Sequence, residues 1–244
     1  ELHELEYLQR MRGQDIQHPG HSHVIQLRDH FYHEGPNGKH LCIVTELLSE
    51  NLSSFSRRWN NERIPQSLAK VITRQIILGL DYLHNSCGIL HTGPYIIQFN
   101  REAWTNSRIK LVDVGVGCWA DKIDEHFTDL IQSPALRAPE VCIGAGWGKA
   151  ADIWSLGCLV YEMVMGKPLL KRDIQPESVP YLHTILFGDY PLDMIKRGKY
   201  SNVFFNSDGE CFWLSFFLEW HIHDNFFHVL LRHIADPDAG SHIT

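Results

Sequence analysis

The stretch Gly88-Ile89-Leu90-His91-Thr92-Gly93-Pro94-Tyr95 decides how the rest of the chain is read. It follows an amphipathic run ending Gly79-Leu80-Asp81-Tyr82-Leu83-His84. It precedes Ile109-Lys110-Leu111-Val112-Asp113-Val114-Gly115. The order is helix, histidine-bearing loop, short hairpin, and a turn with one carboxylate ahead of a glycine. Loops mounted on regular elements are where chemistry concentrates, yet from His91 to Gln98 this one carries no Asp, Glu or Lys.

Working outward, the chain has 244 residues, 44% of them hydrophobic, enough to bury a core in one or two domains. The net charge of −7 argues against a nucleic-acid polyanion as the main partner and leaves basic peptides or proteins open. Six cysteines (42, 87, 118, 142, 158 and 211) form no CxxC pair and read as buried thiols of a reduced, intracellular protein. No apolar run reaches the ~18–20 residues that span a bilayer, and Glu1-Leu2-His3-Glu4 does not open a signal peptide. The expectation is a monomer of the cytoplasm or nucleus. Sixteen histidines raise a metal site, above all at His18, His21 and His23. Their spacing fits no zinc template, so this segment reads as a solvated Pro-Gly loop.

Residues 1–12 place Leu2, Leu5, Leu8 and Met11 on one helical stripe. Val24–Leu27 and Leu41–Val44 read as strands joined through Glu34-Gly35-Pro36-Asn37-Gly38. Residues 66–86 form a long helix with Leu68, Val71, Ile72, Ile76, Leu80 and Leu83 along one side, just after Pro65. Residues 96–99 and 109–112 make two short strands. Residues 152–166 form a helix apolar nearly all round, closed by Gly166. Strands first and helices afterwards predict an α+β fold of two unequal lobes.

Several segments then match one pattern in the right order. Asp113-Val114-Gly115 takes the D-F-G position, Ala138-Pro139-Glu140 is an intact A-P-E, and Asp152-Ile153-Trp154-Ser155-Leu156-Gly157 matches D-x-W-S-x-G. The chain resembles the protein kinases. Within them, Gly115-Val116-Gly117-Cys118-Trp119, His126-Phe127-Thr128, Ile131-Gln132 and Gly198-Lys199-Tyr200-Ser201 are similar to the SR-protein serine/threonine kinases, as is His-Thr at His91-Thr92. The resemblance implies a kinase-like fold with a truncated N-lobe and a mainly helical C-lobe. Residues 1–48 would be the N-lobe remnant (an αC-like helix, two strands and the start of the hinge). Residues 49–244 would be the C-lobe without its final helix.

The same resemblance assigns roles. Gly93 stands where the catalytic Asp belongs. Aligned without gaps, Tyr95 and Gln98 fall on the Lys and Asn positions; with a two-residue deletion, Ile96 falls on the Asn. Both registers lose the base and the second metal ligand. Losing a positioned base costs ~10²–10⁴-fold, or ~3–5 kcal/mol of barrier. Asp113 remains as a ligand for Mg²⁺. Glu4 takes the αC glutamate position; with no β3 lysine in this chain, it reads as an exposed helix acid. Glu46 and Leu48 take the hinge positions that receive adenine, beside Thr45 as gatekeeper. His91, Asp152 and Glu140 are structural. His91 packs on the Asp113 turn and Asp152 accepts from the loop backbone. Glu140 requires a cation near the C-terminus, where His242 is the nearest substitute. The substrate loop Gln132-Ser133-Pro134-Ala135-Leu136-Arg137 departs from the family at Pro134 and Leu136.

The family uses ATP and Mg²⁺ to phosphorylate Arg/Ser-rich splicing proteins. Here the resemblance implies a degenerate paralogue: a pseudokinase that binds a protein partner or an Arg/Ser-rich peptide, without direct contact to nucleic acid or membrane. The alternative is an active serine/threonine kinase represented by an incomplete gene model.

Overall fold

A computed structural model describes residues 3–93, 96–100, 108–125 and 128–212. Helix α1 (Glu4–Gly13) has acidic residues in its first turn and Arg10 and Arg12 in its last, a charge order that suits the helix dipole, and it buries Tyr7, Leu8 and Met11. Strands β1 (Leu27–Gly35) and β2 (Gly38–Thr45) form an antiparallel hairpin. Its turn closes at Gly38, whose φ of +110° suits a residue without a β-carbon. The predicted strand at 24–27 is displaced. Val24 instead bridges to Leu111 in parallel, and the Ile25 N–H donates to the Leu111 carbonyl at 2.9 Å. The true strand carries polar residues on both faces, so its sequence has no apolar alternation to read.

The histidine segment is likewise not a solvated loop. Pro19–His23 winds into a 3₁₀ turn capped by His18, and His23 is buried with Nδ1 3.1 Å from the Ile109 carbonyl. Gly20 makes this docking possible, because a β-carbon there would fall 1.8 Å from the Leu78 carbonyl oxygen.

After strand β3 (Leu48–Asn51) and short helix α2 (Leu52–Ser56), helix α3 runs Gln66–Asp81. Ile72, Ile76 and Leu80 recur at the spacing that puts them on one face, and they are buried. Val71, expected on that face, is exposed. The last turn of the predicted helix, Tyr82–Cys87, is π-helical and ends at left-handed Gly88. Strand β4 (Ile89–Leu90) pairs with β7 (Cys118–Trp119), and β5 (Ile96–Asn100) pairs with β6 (Ile109–Val112) and β3 in an antiparallel sheet of order β3-β5-β6. Short α4 (Pro139–Cys142) precedes α5 (Lys149–Met165), which Gly166 ends at φ +68°. Ile153 of α5 is half exposed, although the run is apolar nearly all round. Helices α6 (Val179–Phe187), α7 (Leu192–Arg197) and α8 (Ser201–Phe204) follow.

Two principal cores hold these parts. One joins α1, Val24–Leu27, α3, β6 and α5, so the N-terminal elements share a core with the main helices. The other gathers Cys142, Ile143, Val179, Tyr181, Tyr190, Phe204 and Phe205. All six cysteines are free thiols, and only Cys42 is not buried.

Candidate active site

Asp152, in the first turn of α5, organises the loop from within. Its carboxylate accepts from the backbone N–H of His91 and of Thr92, both at 2.9 Å, and lies 2.7 Å from His84 Nε2. Burial pushes this carboxyl up, but the His84 hydrogen bond and the neighbouring imidazoles outweigh it and hold the group below the ordinary aspartate range. His91, wholly buried, places Nε2 3.0 Å from the Val112 carbonyl, directly before Asp113.

Asp113 adopts φ +62°, a left-handed conformation uncommon outside glycine. The chain then turns through Val114–Gly117, with the Gly117 N–H donating to the Val114 carbonyl at 2.9 Å. Val114 is fully buried despite its small size, so the stack over the loop is closed. Tyr7 of α1 donates its hydroxyl to the Gly117 carbonyl at 3.1 Å, and Thr92 donates to the Val116 carbonyl at 2.6 Å. These bonds press Val116 against Gly93. A β-carbon at 93 would lie 2.9 Å from Val116 Cγ2 and 3.6 Å from the His91 ring. The space in which a base would begin is filled.

In front of this turn lies an open cleft of about 520 Å³ lined by Glu4, Thr45, Glu46, Leu47, Leu48, Gln98 and Asp113, among others. The fold therefore brings Glu4, Glu46, Leu48 and Asp113 to one cleft. Glu4 is not an exposed helix acid. It is half-buried, its carboxyl lies beside Gly115, and burial, then the charge of Asp113, push its pKa up. Glu46 is engaged already: its carboxylate pairs with Lys110 Nζ at 2.8 Å and accepts from the Gln26 N–H at 3.0 Å. Lys110 also reaches the Val24 carbonyl at 3.3 Å. Leu48 sits in β3 opposite Asn100. Among the described residues, no group of three or more His, Cys, Asp or Glu forms a ready metal cage. A carboxylate oxygen is the kind of ligand Mg²⁺ takes, and Asp113 would be the residue to hold it.

Sequence reasoning missed Lys110, and it named Gln132 only as part of the substrate loop. A lysine inside Ile109–Val112, a strand buried throughout, was the available signal, since a buried ammonium demands a partner. Gln132 gave none. At φ +65°, its N–H donates to the Thr92 carbonyl, its amide nitrogen donates to Ala151 O and Ser155 Oγ at 2.7 Å, and its amide oxygen accepts from the Ala138 N–H. It thereby ties the substrate loop to α5. Glu140 is half-buried, and burial pushes its carboxyl up. Tyr95, His126, Phe127 and His242 lie outside the described residues.

The Asp152-centred loop, the left-handed Asp113 turn and the A-P-E helix occur together in one arrangement. The chain belongs to the protein kinase family. The protein kinase domain model matches residues 2–186. Among curated proteins, the chain is 31% identical to the serine/threonine-protein kinase SRPK of Physarum polycephalum, over 77% of this chain and 57% of that protein. It is 24% identical to protein kinase dsk1 of Schizosaccharomyces pombe, over 86% of this chain and 62% of that one. A probable dual specificity kinase, the YAK1 homolog of Encephalitozoon cuniculi, is 32% identical over 75% of this chain and 43% of its own length. The chain thus spans about six-tenths of the first two relatives. This kinase domain is related to the SR-protein kinases and their serine/threonine neighbours, and the family uses ATP with Mg²⁺. No helix among the described residues is long and apolar enough to cross a membrane.

Proposed function

We propose that this kinase domain is catalytically silent and works as a binding module for a basic protein partner, with a cleft that accepts Mg²⁺ and nucleotide without efficient phosphoryl transfer. One observation carries the reading: position 93 has no side chain, and Val116 occupies the space beside it. Phosphoryl transfer needs a carboxylate to align the acceptor hydroxyl, and neither Gly93 nor Gln98 is one. The net charge of −7 favours a basic partner, for which an Arg/Ser-rich segment is the family's chemistry. The cytoplasm or nucleus is the setting that suits it.

A second reading is an active serine/threonine kinase of which this chain is a part, acting on Arg/Ser-rich proteins. The intact Asp152 hub and the Asp113 turn favour it. One pair of measurements separates the two. Thermal unfolding of the pure chain with ATP and Mg²⁺ is expected to rise, and to lose that rise in Asp113→Ala. Transfer of labelled phosphate to an Arg/Ser peptide is expected to stay at background. Transfer above background that Asp113→Ala abolishes would establish the second reading.

A further inference from the structure

Three histidines with no part in the candidate active site, His18, His21 and His23, meet in one turn between α1 and β1. The turn lies against α3 and β6 at two points of close approach. A β-carbon at Gly20 would fall 1.8 Å from the Leu78 carbonyl oxygen, and one at Gly79 would fall 3.0 Å from the His23 carbonyl oxygen. Backbone rests on backbone at both points, so the turn has one seated position and little room to shift within it. Seated, it fixes the Ile25 N–H on the Leu111 carbonyl at 2.9 Å, and so ties the chain between α1 and the hairpin to the central sheet.

The seat is built for a neutral imidazole at His23. This residue is buried, and its Nδ1 lies 3.1 Å from the Ile109 carbonyl. A carbonyl only accepts, so Nδ1 carries the hydrogen and Nε2 the lone pair. A second proton would place positive charge beside Lys110 and Arg108. Glu46, which faces Lys110, is already bound to that ammonium at 2.8 Å and to the Gln26 N–H. On the α3 side, His18 accepts the Gly20 N–H at Nδ1 (3.0 Å) and points Nε2 at Asp81 (3.2 Å). Asp81 would draw a charge on His18, but the added proton would displace the Gly20 bond. His21 lies edge-on to the Tyr82 ring at 5.4 Å, and its buried Nε2 has no hydrogen-bond partner among the described residues. Arg10 and Asp15 are the charges around Tyr82, whose hydroxyl reaches the Met11 and Gln14 carbonyls at the end of α1.

We propose that the histidine turn is an acid-released latch: neutral His23 seats it against α3 and β6, and protonation of His23 unseats residues 18–25 ahead of global unfolding. Parts of a domain open separately when their contacts are few, and this turn meets the body of the protein chiefly through the two glycine approaches and the Ile109 and Leu111 carbonyls. The sign follows from the surroundings of His23. Burial lowers its pKa, the Ile109 hydrogen bond raises it, and Lys110 and Arg108 lower it again, leaving it below the ordinary 6.5. The seated ring binds a proton less readily than the released one. The latch is therefore fully held above pH 6.5 and weakens as pH falls below it.

Amide exchange of the purified chain, followed by NMR from about pH 7.5 to about pH 5.5 and corrected for intrinsic rates, tests the latch. The N–H groups of His21 and Ile25, bonded to the His18 and Leu111 carbonyls, are expected to lose protection by up to about tenfold per pH unit below the ordinary histidine value, the slope of one proton. They are expected to exchange faster than the buried turns of α5 throughout. His23→Gln keeps an N–H for the Ile109 carbonyl and cannot titrate, so its protection is expected to match the parent at the upper pH and to stay flat. His183→Phe, in the other core, is expected to leave the dependence in place. Ring-proton shifts of His23 in the parent chain give a readout that needs no variant, and they are expected to titrate below 6.5. Flat protection at His21 and Ile25, an acid dependence that survives His23→Gln or vanishes in His183→Phe, or a His23 ring titrating at or above 6.5 would each overturn the proposal.

Discussion

A β-carbon at Gly93 would sit 2.9 Å from Cγ2 of Val116, closer than side-chain carbons pack. The glycine at position 93 and the path of the turn after Asp113 are therefore one feature. Glycine admits the valine, and two side-chain hydroxyls, Thr92 and Tyr7, hold the turn in place.

Restoring the family residue by Gly93→Asp is accordingly expected to cost stability, about 1–3 kcal/mol as other overpacked sites do, and to leave phosphate transfer at background. Adding Val116→Ala is expected to recover part of the loss, a coupling of about 0.5–3 kcal/mol between touching residues. Urea unfolding of the four proteins of the cycle measures it; additive losses would mean that the two residues do not compete for space.

Asp152 holds two backbone N–H groups and one imidazole in a buried place. Asp152→Ala orphans these donors at about 1–3 kcal/mol each, enough to unfold a domain of ordinary stability. The sign of the pH effect follows from its depressed pKa. The folded carboxyl binds a proton less readily than the unfolded one, so its contribution is complete above the ordinary aspartate value of 3.8 and is lost as pH falls below that. Acid titration of the unfolding midpoint, compared with Asp152→Asn, reads this out; the same acid slope in both proteins would refute it.

His183 works in a different window. It is buried, its Nδ1 is 2.7 Å from the Tyr190 hydroxyl, and burial pushes its pKa from 6.5 down to about 4. The unfolded imidazole takes the proton first, so stability is full above pH 6.5 and declines as pH falls toward 4. At 1.36 kcal/mol per unit, the loss is about 3 kcal/mol. His183→Phe is expected to flatten the stability curve across that window, and an unchanged slope would count against this assignment.

Lys110 and Glu46 form a buried pair with both side chains nearly inaccessible. Lys110→Met strands the carboxylate and is expected to cost about 3–5 kcal/mol. Lys110→Met with Glu46→Gln keeps an acceptor for the Gln26 N–H and is expected to recover most of that loss. Calorimetry of single and double variants decides; a double variant as unstable as the single would show that the charge pair itself is needed.

How far the residues alone carried the reading can be judged element by element. Helix α3 was legible because its apolar residues recur at the helical period after Pro65, and α5 because a long apolar run ends at Gly166. The structural placements of His91 and Asp152 were legible because short motifs at fixed order specify them. Strand β1 was not, because a hairpin exposed on both faces has no buried alternation to betray it. The buried histidine turn was not, because only the close approach allowed by Gly20 brings it against α3.

The sequence by itself determined the family, which is written in residue types at set spacing and needs no coordinate. Only the tertiary structure decided that the space beside Gly93 is filled, that Glu4 turns toward Asp113, and that Lys110 neutralises Glu46. Those are relations between residues more than 20 and up to more than 100 positions apart. Packing and desolvation act across space, and no local pattern of side chains encodes which distant neighbour will supply the contact.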